Sequence, residues 1–127
     1  MRILICGERA FYDPRPIEEF ISRFNTPITI IHGAAPGADT LAGRIGQACN
    51  HEIISFPAQW ERYGRAAGPI RNRQMLDEGK PDLIVAFFND RSKSRGTNNM
   101  ISQAEQANKL IAIYETGKGW TRDDRIS

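Results

Sequence analysis

Four short segments hold most of the residues in this chain that suit a charged small molecule: Gly7-Glu8-Arg9, Gly33 to Asp39, Trp60 to Asn72, and Arg95-Gly96-Thr97-Asn98. Glycine lets a backbone approach a ligand closely, and a following helix offers unpaired N–H groups and a positive dipole end, which together favour a phosphate. In the last segment the backbone amides and the Thr97 hydroxyl can hold phosphate while Arg95 adds a bidentate contact. The same residues also suit an ordinary Gly-Thr turn with a threonine cap. In Gly33-Ala34-Ala35-Pro36-Gly37-Ala38-Asp39, the aspartate either caps the next helix or accepts hydrogen bonds from ribose hydroxyls. Trp60 and Tyr63 either stack on a base or fold back as a plug over the core, and Arg71 and Asn72 follow in the same stretch of small residues. Arg9 suits a phosphate contact. Glu8 and Asp39 are the candidate carboxylates for proton transfer, although Glu8 serves equally as a solvent-facing neighbour of Arg9.

Other chemistries find no support. Neither G-x-G-x-x-G nor a Walker A lysine motif occurs, which excludes a standard dinucleotide fingerprint or P-loop. His32 and His51 stand apart from any ligand-spaced cysteines or carboxylates, so neither a metal nor another cofactor is expected. Cys6 and Cys49 form no C-x-x-C pair and read as two buried free thiols. Net charge is only +2, yet the cations are clustered: Arg62, Arg65, Arg71 and Arg73 in one stretch, Arg91, Lys93 and Arg95 in another. That clustering suits an anionic partner.

These segments need a frame that brings them together. Apolar runs at 2–6, 28–32, 53–56, 83–87 and 110–114 read as strands. Helical spacing of Ile17, Phe20, Ile21 and Phe24, of Leu41, Ile45 and Ala48, from Pro69 to Glu78, and of Met100, Ile101, Ala104 and Ala107 supplies four helices between them. Strands that are apolar throughout, alternating with helices, predict an α/β fold: a single Rossmann-like three-layer domain with a mostly parallel five-stranded sheet. Right-handed crossovers then place every strand-to-helix loop at one rim of that sheet. The expected domain covers residues 1–114, and 115–127 is expected as a surface extension with Trp120 as its one large anchor.

The 127 residues suffice for one core without disulfides or structural metal. The longest apolar runs are five or six residues, far short of a membrane span of roughly 20. With no signal segment in view, a cytoplasmic location is expected.

The motifs together resemble the SLOG superfamily, in particular its YspA-like (cpYpsA-related) branch of small bacterial or phage-encoded domains. The resemblance rests on Gly7-Glu8-Arg9, Gly33 to Asp39 with Leu41-Ala42, Trp60, Tyr63 to Asn72, Met75-Leu76, Pro81-Asp82-Leu83 and Arg95 to Met100. It implies a Rossmann-like sheet, a nucleotide-related ligand held by the glycine loops, and homodimers, as are common among relatives. The more distant LOG-type phosphoribohydrolases carry Pro-Gly-Gly-x-Gly-Thr-x-x-Glu. Here Gly96-Thr97 matches, while Met100 stands where the glutamate would be and cannot shuttle a proton. The expected function is therefore binding of a nucleotide or nucleotide derivative, ADP-ribose/NAD-like or a nucleoside phosphate, as a sensor or sequestering module. The alternatives are an N-glycosidase or phosphoribohydrolase working through Glu8 or Asp39, and single-stranded nucleic-acid binding by the arginines and aromatics.

Overall fold

Successive residues of a strand point to opposite faces of a sheet, so a strand apolar at every position needs cover on both sides. The computed structural model, which describes residues 1–122, meets that need. In β1 (Arg2–Gly7), Ile3 and Ile5 face one core while Leu4 and Cys6 face a second. In β4 (Leu83–Phe88), Leu83, Val85 and Phe87 join the first, and Ile84, Ala86 and Phe88 the second. The first core is closed by α1 (Arg15–Ile21) and α2 (Ala38–Ala48), the second by α4 (Ala67–Gly79) and α5 (Arg95–Gln106). A four-residue helix, α3 (Trp60–Tyr63), and a 3₁₀ turn over Gly64–Ala66 lie in the crossover that leads to α4.

Strand order is β3-β2-β1-β4-β5-β6, with β2 (Thr29–His32), β3 (Glu52–Ser55), β5 (Leu110–Glu115) and β6 (Gly119–Arg122) flanking the central pair. The first five strands are mutually parallel, and β1 and β4 run in register from Ile3 opposite Leu83 to Gly7 opposite Phe87. The chain leaves β1 for α1 on one face and β4 for α5 on the other. The two loops diverge there and leave a crevice at the carboxyl ends of the strands, where open α/β sheets hold their ligands.

The sheet has six strands rather than the five expected. β6 runs antiparallel to β5, with Trp120 opposite Tyr114. Its sequence, Gly-Trp-Thr-Arg, is too short and polar to announce a strand, and one aromatic side chain secures it. The Trp120 ring lies 5.4 Å from Tyr114, 5.6 Å from Phe87 and 5.9 Å from Phe20, centre to centre. The expected 115–127 extension thus includes a sheet strand at 119–122, and its last residues, 123–127, lie outside the described residues. Cys6 is buried as expected, but Cys49, just past the end of α2, is exposed. Among the described residues no helix is long and apolar enough to cross a membrane.

Candidate functional site

The crevice between the β1 and β4 loops is a cavity of about 850 Å³ whose lining includes Gly7, Glu8, Arg9, Ala35, Asp39, Trp60, Arg71, Asn72, Arg95, Gly96 and Thr97. The loop after β2 and the start of α5, more than 50 residues apart along the chain, therefore meet on one cleft. Two close approaches between backbone segments set the loops around it. A Cβ on Gly7 would run into the Phe87 carbonyl and come within 2.5 Å of the Ala38 side chain. At Gly37 the backbone is left-handed, φ 84°, and a Cβ would lie 2.5 Å from the carbonyl oxygens of both Glu8 and Arg9. Only glycine combines that conformation with that contact.

The remaining predicted residues, Gly37 among them, do not line the cleft. Gly33 donates its N–H to the Asp39 carboxylate at 2.9 Å, and its carbonyl accepts a short hydrogen bond from Arg71. Ala34 also adopts a left-handed backbone, φ 58°, and donates its N–H to Nδ1 of His32 at 2.9 Å. Ala38 is in the first core. Asn98 fastens the loop before α5 by donating to the carbonyls of Arg91 and Ser94 at 2.7 and 2.8 Å. Tyr63 lies outside the cleft, with the Arg62 guanidinium 5.0 Å over its ring.

The structure places several residues for which the sequence offered a purely structural role. Asp39 does not cap α2 at its N-cap position, which Gly37 occupies without a side-chain bond. It sits one turn-step inside the helix and reaches back to the Gly33 amide. Thr97 is not a cap either. Helix α5 begins at Arg95 after Ser94, whose hydroxyl donates to the Thr97 oxygen at 2.8 Å. Trp60 is no plug, since none of the residues of α3 is buried. Glu8 is largely buried rather than solvent-facing and accepts the Asp90 N–H at 2.9 Å, which holds the β4 loop against the β1 loop.

Sequence reasoning missed the floor of the site and, Asn72 apart, its bracing. Cys6, Met75 and Met100 line the floor. The Met100 thioether is thus an apolar contact where a glutamate would have brought charge. Asn72, which is buried, links α4 to α5. It accepts a hydrogen bond from Arg71 Nε at 3.0 Å and donates to the Gly96 carbonyl at 3.2 Å and to Asn99 at 3.1 Å. Gln103 extends the chain of bonds, donating to Asn99 at 2.8 Å and to the Pro69 carbonyl at 3.1 Å. This network fixes the first turn of α5, whose amides have no intrahelical partner. Arg65 and Lys93, both from the arginine-rich stretches, complete the basic rim.

The electrostatics of the cleft follow from burial. Asp39 is pushed up to about 6, chiefly by burial, against the hydrogen bond from Gly33 and the nearby Arg71 charge. Burial weakens the hold of Arg71 on its proton, while Asp39 and Cys6 act the other way. Burial and Asp39 together raise the Cys6 thiol, and burial with Arg71 lowers His32. A raised aspartate has a definite consequence for stability. Between the unfolded value of 3.8 and about 6 the folded chain retains a proton that the unfolded chain has released. The contribution of Asp39 to stability is therefore lost as pH rises through that window, by about 3 kcal/mol. Asn in its place keeps an acceptor for Gly33 and cannot titrate. Urea unfolding measured from pH 3.5 to 7 is expected to show this falling component in the wild type and not in Asp39→Asn.

Comparison with known proteins agrees with this architecture. A family model for the YspA, cpYpsA-related SLOG family matches residues 1–63. The Gene 61 protein of Mycobacterium phage D29 is 30% identical over 115 residues, which cover 84% of this chain and 90% of that protein. Among solved structures, DNA processing protein A (DprA) from Streptococcus pneumoniae is similar with a TM-score of 0.72 at 16% identity. That match covers 88% of this chain and 49% of DprA, so this chain spans about half the length of that protein, and the likeness is one of fold.

Proposed function

Since this chain belongs to the YspA, cpYpsA-related SLOG family, we propose that it binds a nucleotide or nucleotide derivative in the cleft between its β1 and β4 loops, as a sensor or sequestering module. The observation that carries this reading is the first turn of α5. Arg95, Gly96 and Thr97 line the cleft there, beside Lys93 and Arg71, and among the described residues none of these cations is ion-paired with a carboxylate. Free amides, a helix dipole and cations that form no salt bridge together favour a phosphate. Binding is preferred to turnover because both carboxylates of the cleft, Glu8 and Asp39, are engaged by backbone amides, and the position in α5 where a glutamate would serve is Met100.

The test is a thermal-shift and calorimetric panel of nucleoside mono- and diphosphates, cyclic nucleotides and ADP-ribosyl compounds, with native mass spectrometry of whatever co-purifies. Saturable binding of a member of the panel is expected, and its absence throughout overturns the reading.

A second reading, single-stranded nucleic acid, draws on the basic rim and on a fold neighbour whose name refers to DNA processing. It predicts affinity that grows with oligonucleotide length and falls steeply with salt, whereas a mononucleotide pocket is indifferent to length.

A further inference from the structure

The two tryptophans of the chain have opposite fates. Trp120 is packed among Phe20, Phe87 and Tyr114. Trp60 is 49% exposed on a four-residue helix with no buried residue, and it lines the cleft. Folding gains little from a large indole held in that way. Its position is nevertheless defined. The ring reaches over Gly68 at the start of α4, where a Cβ would just touch it at 3.5 Å. The Arg9 guanidinium stands over the ring, 6.0 Å from its centre. Arg9 is exposed, has no carboxylate partner among the described residues, and is close enough to Arg71 for the two charges to oppose each other. A 6 Å cation–π contact is at the outer limit of such attractions, so little is lost when it opens. A planar group in van der Waals contact with both faces needs about 7 Å, and a rotamer change of an exposed arginine supplies the difference.

Resting on the reading that the cleft holds a phosphate, we infer that Trp60 and Arg9 form a two-sided clamp for the heteroaromatic base of a nucleotide. The indole stacks on one face of the base and the guanidinium on the other. The site thereby selects nucleotides over sugar phosphates and inorganic phosphate, and its preference among bases is modest, because every base offers a π-face.

Calorimetry with the four nucleoside 5′-monophosphates, ribose 5-phosphate and inorganic phosphate tests this on the full chain. The wild type is expected to bind at least one nucleotide about ten- to a hundredfold more tightly than ribose 5-phosphate. In Trp60→Ala that ratio collapses towards one while ribose 5-phosphate affinity is retained, and Trp60→Phe restores part of the ratio. Arg9→Gln reduces the ratio less, and circular dichroism confirms folding of each variant. If ribose 5-phosphate binds as tightly as every nucleotide, or if Trp60→Ala keeps the full ratio, the clamp is wrong and the phosphate site stands. If none of the six compounds binds, the clamp is overturned, and the nucleotide reading is decided by the wider panel of diphosphates, cyclic nucleotides and ADP-ribosyl compounds.

Discussion

Replacing Arg71 with methionine is expected to weaken binding of a phosphate-bearing ligand by at least tenfold, and to make the folded chain hold the Asp39 proton to a higher pH than the wild type does. Both effects come from one guanidinium in two roles. Its Nη1 bonds the Gly33 carbonyl and its Nε bonds the Asn72 side chain, which ties the loop after β2 to the brace on α5. Its charge also opposes the rise of Asp39. A charge-assisted hydrogen bond is worth about 1.5–3 kcal/mol, which is the basis for the tenfold figure. Lysine is expected to restore the charge and little of the affinity, because a point ammonium cannot span two acceptors held by a planar fork. Calorimetry with the tightest nucleotide and an NMR titration of the Asp39 carboxyl check the two halves. Wild-type affinity in Arg71→Met would exclude Arg71 from the ligand site.

Truncating Phe87 to alanine is expected to remove about 3–5 kcal/mol of stability. The side chain is fully buried in the first core, where it meets Phe11 at 5.6 Å, Tyr114 at 6.0 Å and Trp120 at 5.6 Å between ring centres. The three rings come from a loop, from β5 and from β6, so no single one of them can move to fill the space. Domains of this size have about 5–15 kcal/mol in total, so the variant retains little reserve. A urea midpoint shifted far down at unchanged slope is the expected readout. A loss below about 1 kcal/mol would mean that the aromatic cluster repacks freely.

The architecture was largely legible in the sequence, because the signals that specify it are local. Runs such as Leu83 to Phe88 announce buried strands by composition, and the loops between strands and helices carry their own glycines and prolines. What escaped detection depends on partners distant in the chain. Strand β6 exists because Trp120 finds Phe20 and Phe87, about 100 and 33 residues away. The Asn72, Asn99 and Gln103 chain of bonds joins two helices; Asn72 could be nominated from its segment, but its partners Asn99 and Gln103 are found only when the helices are set side by side. The same limit applies to the cleft. Its glycines and arginines could be nominated one segment at a time, but the sulfur-lined floor of Cys6, Met75 and Met100 is a product of packing. Cys49 reversed its expected environment because the end of α2 from Gln47 onward is already exposed.

That last contrast makes the native protein a molecule with one addressable thiol. An alkylating dye meets Cys49 in the open, whereas Cys6 is buried in the floor of the cleft with its proton firmly held. The attachment point lies about 15 Å along α2 from Asp39, so a fluorophore placed there reports from outside the pocket, with unit stoichiometry and without any cysteine having to be engineered away.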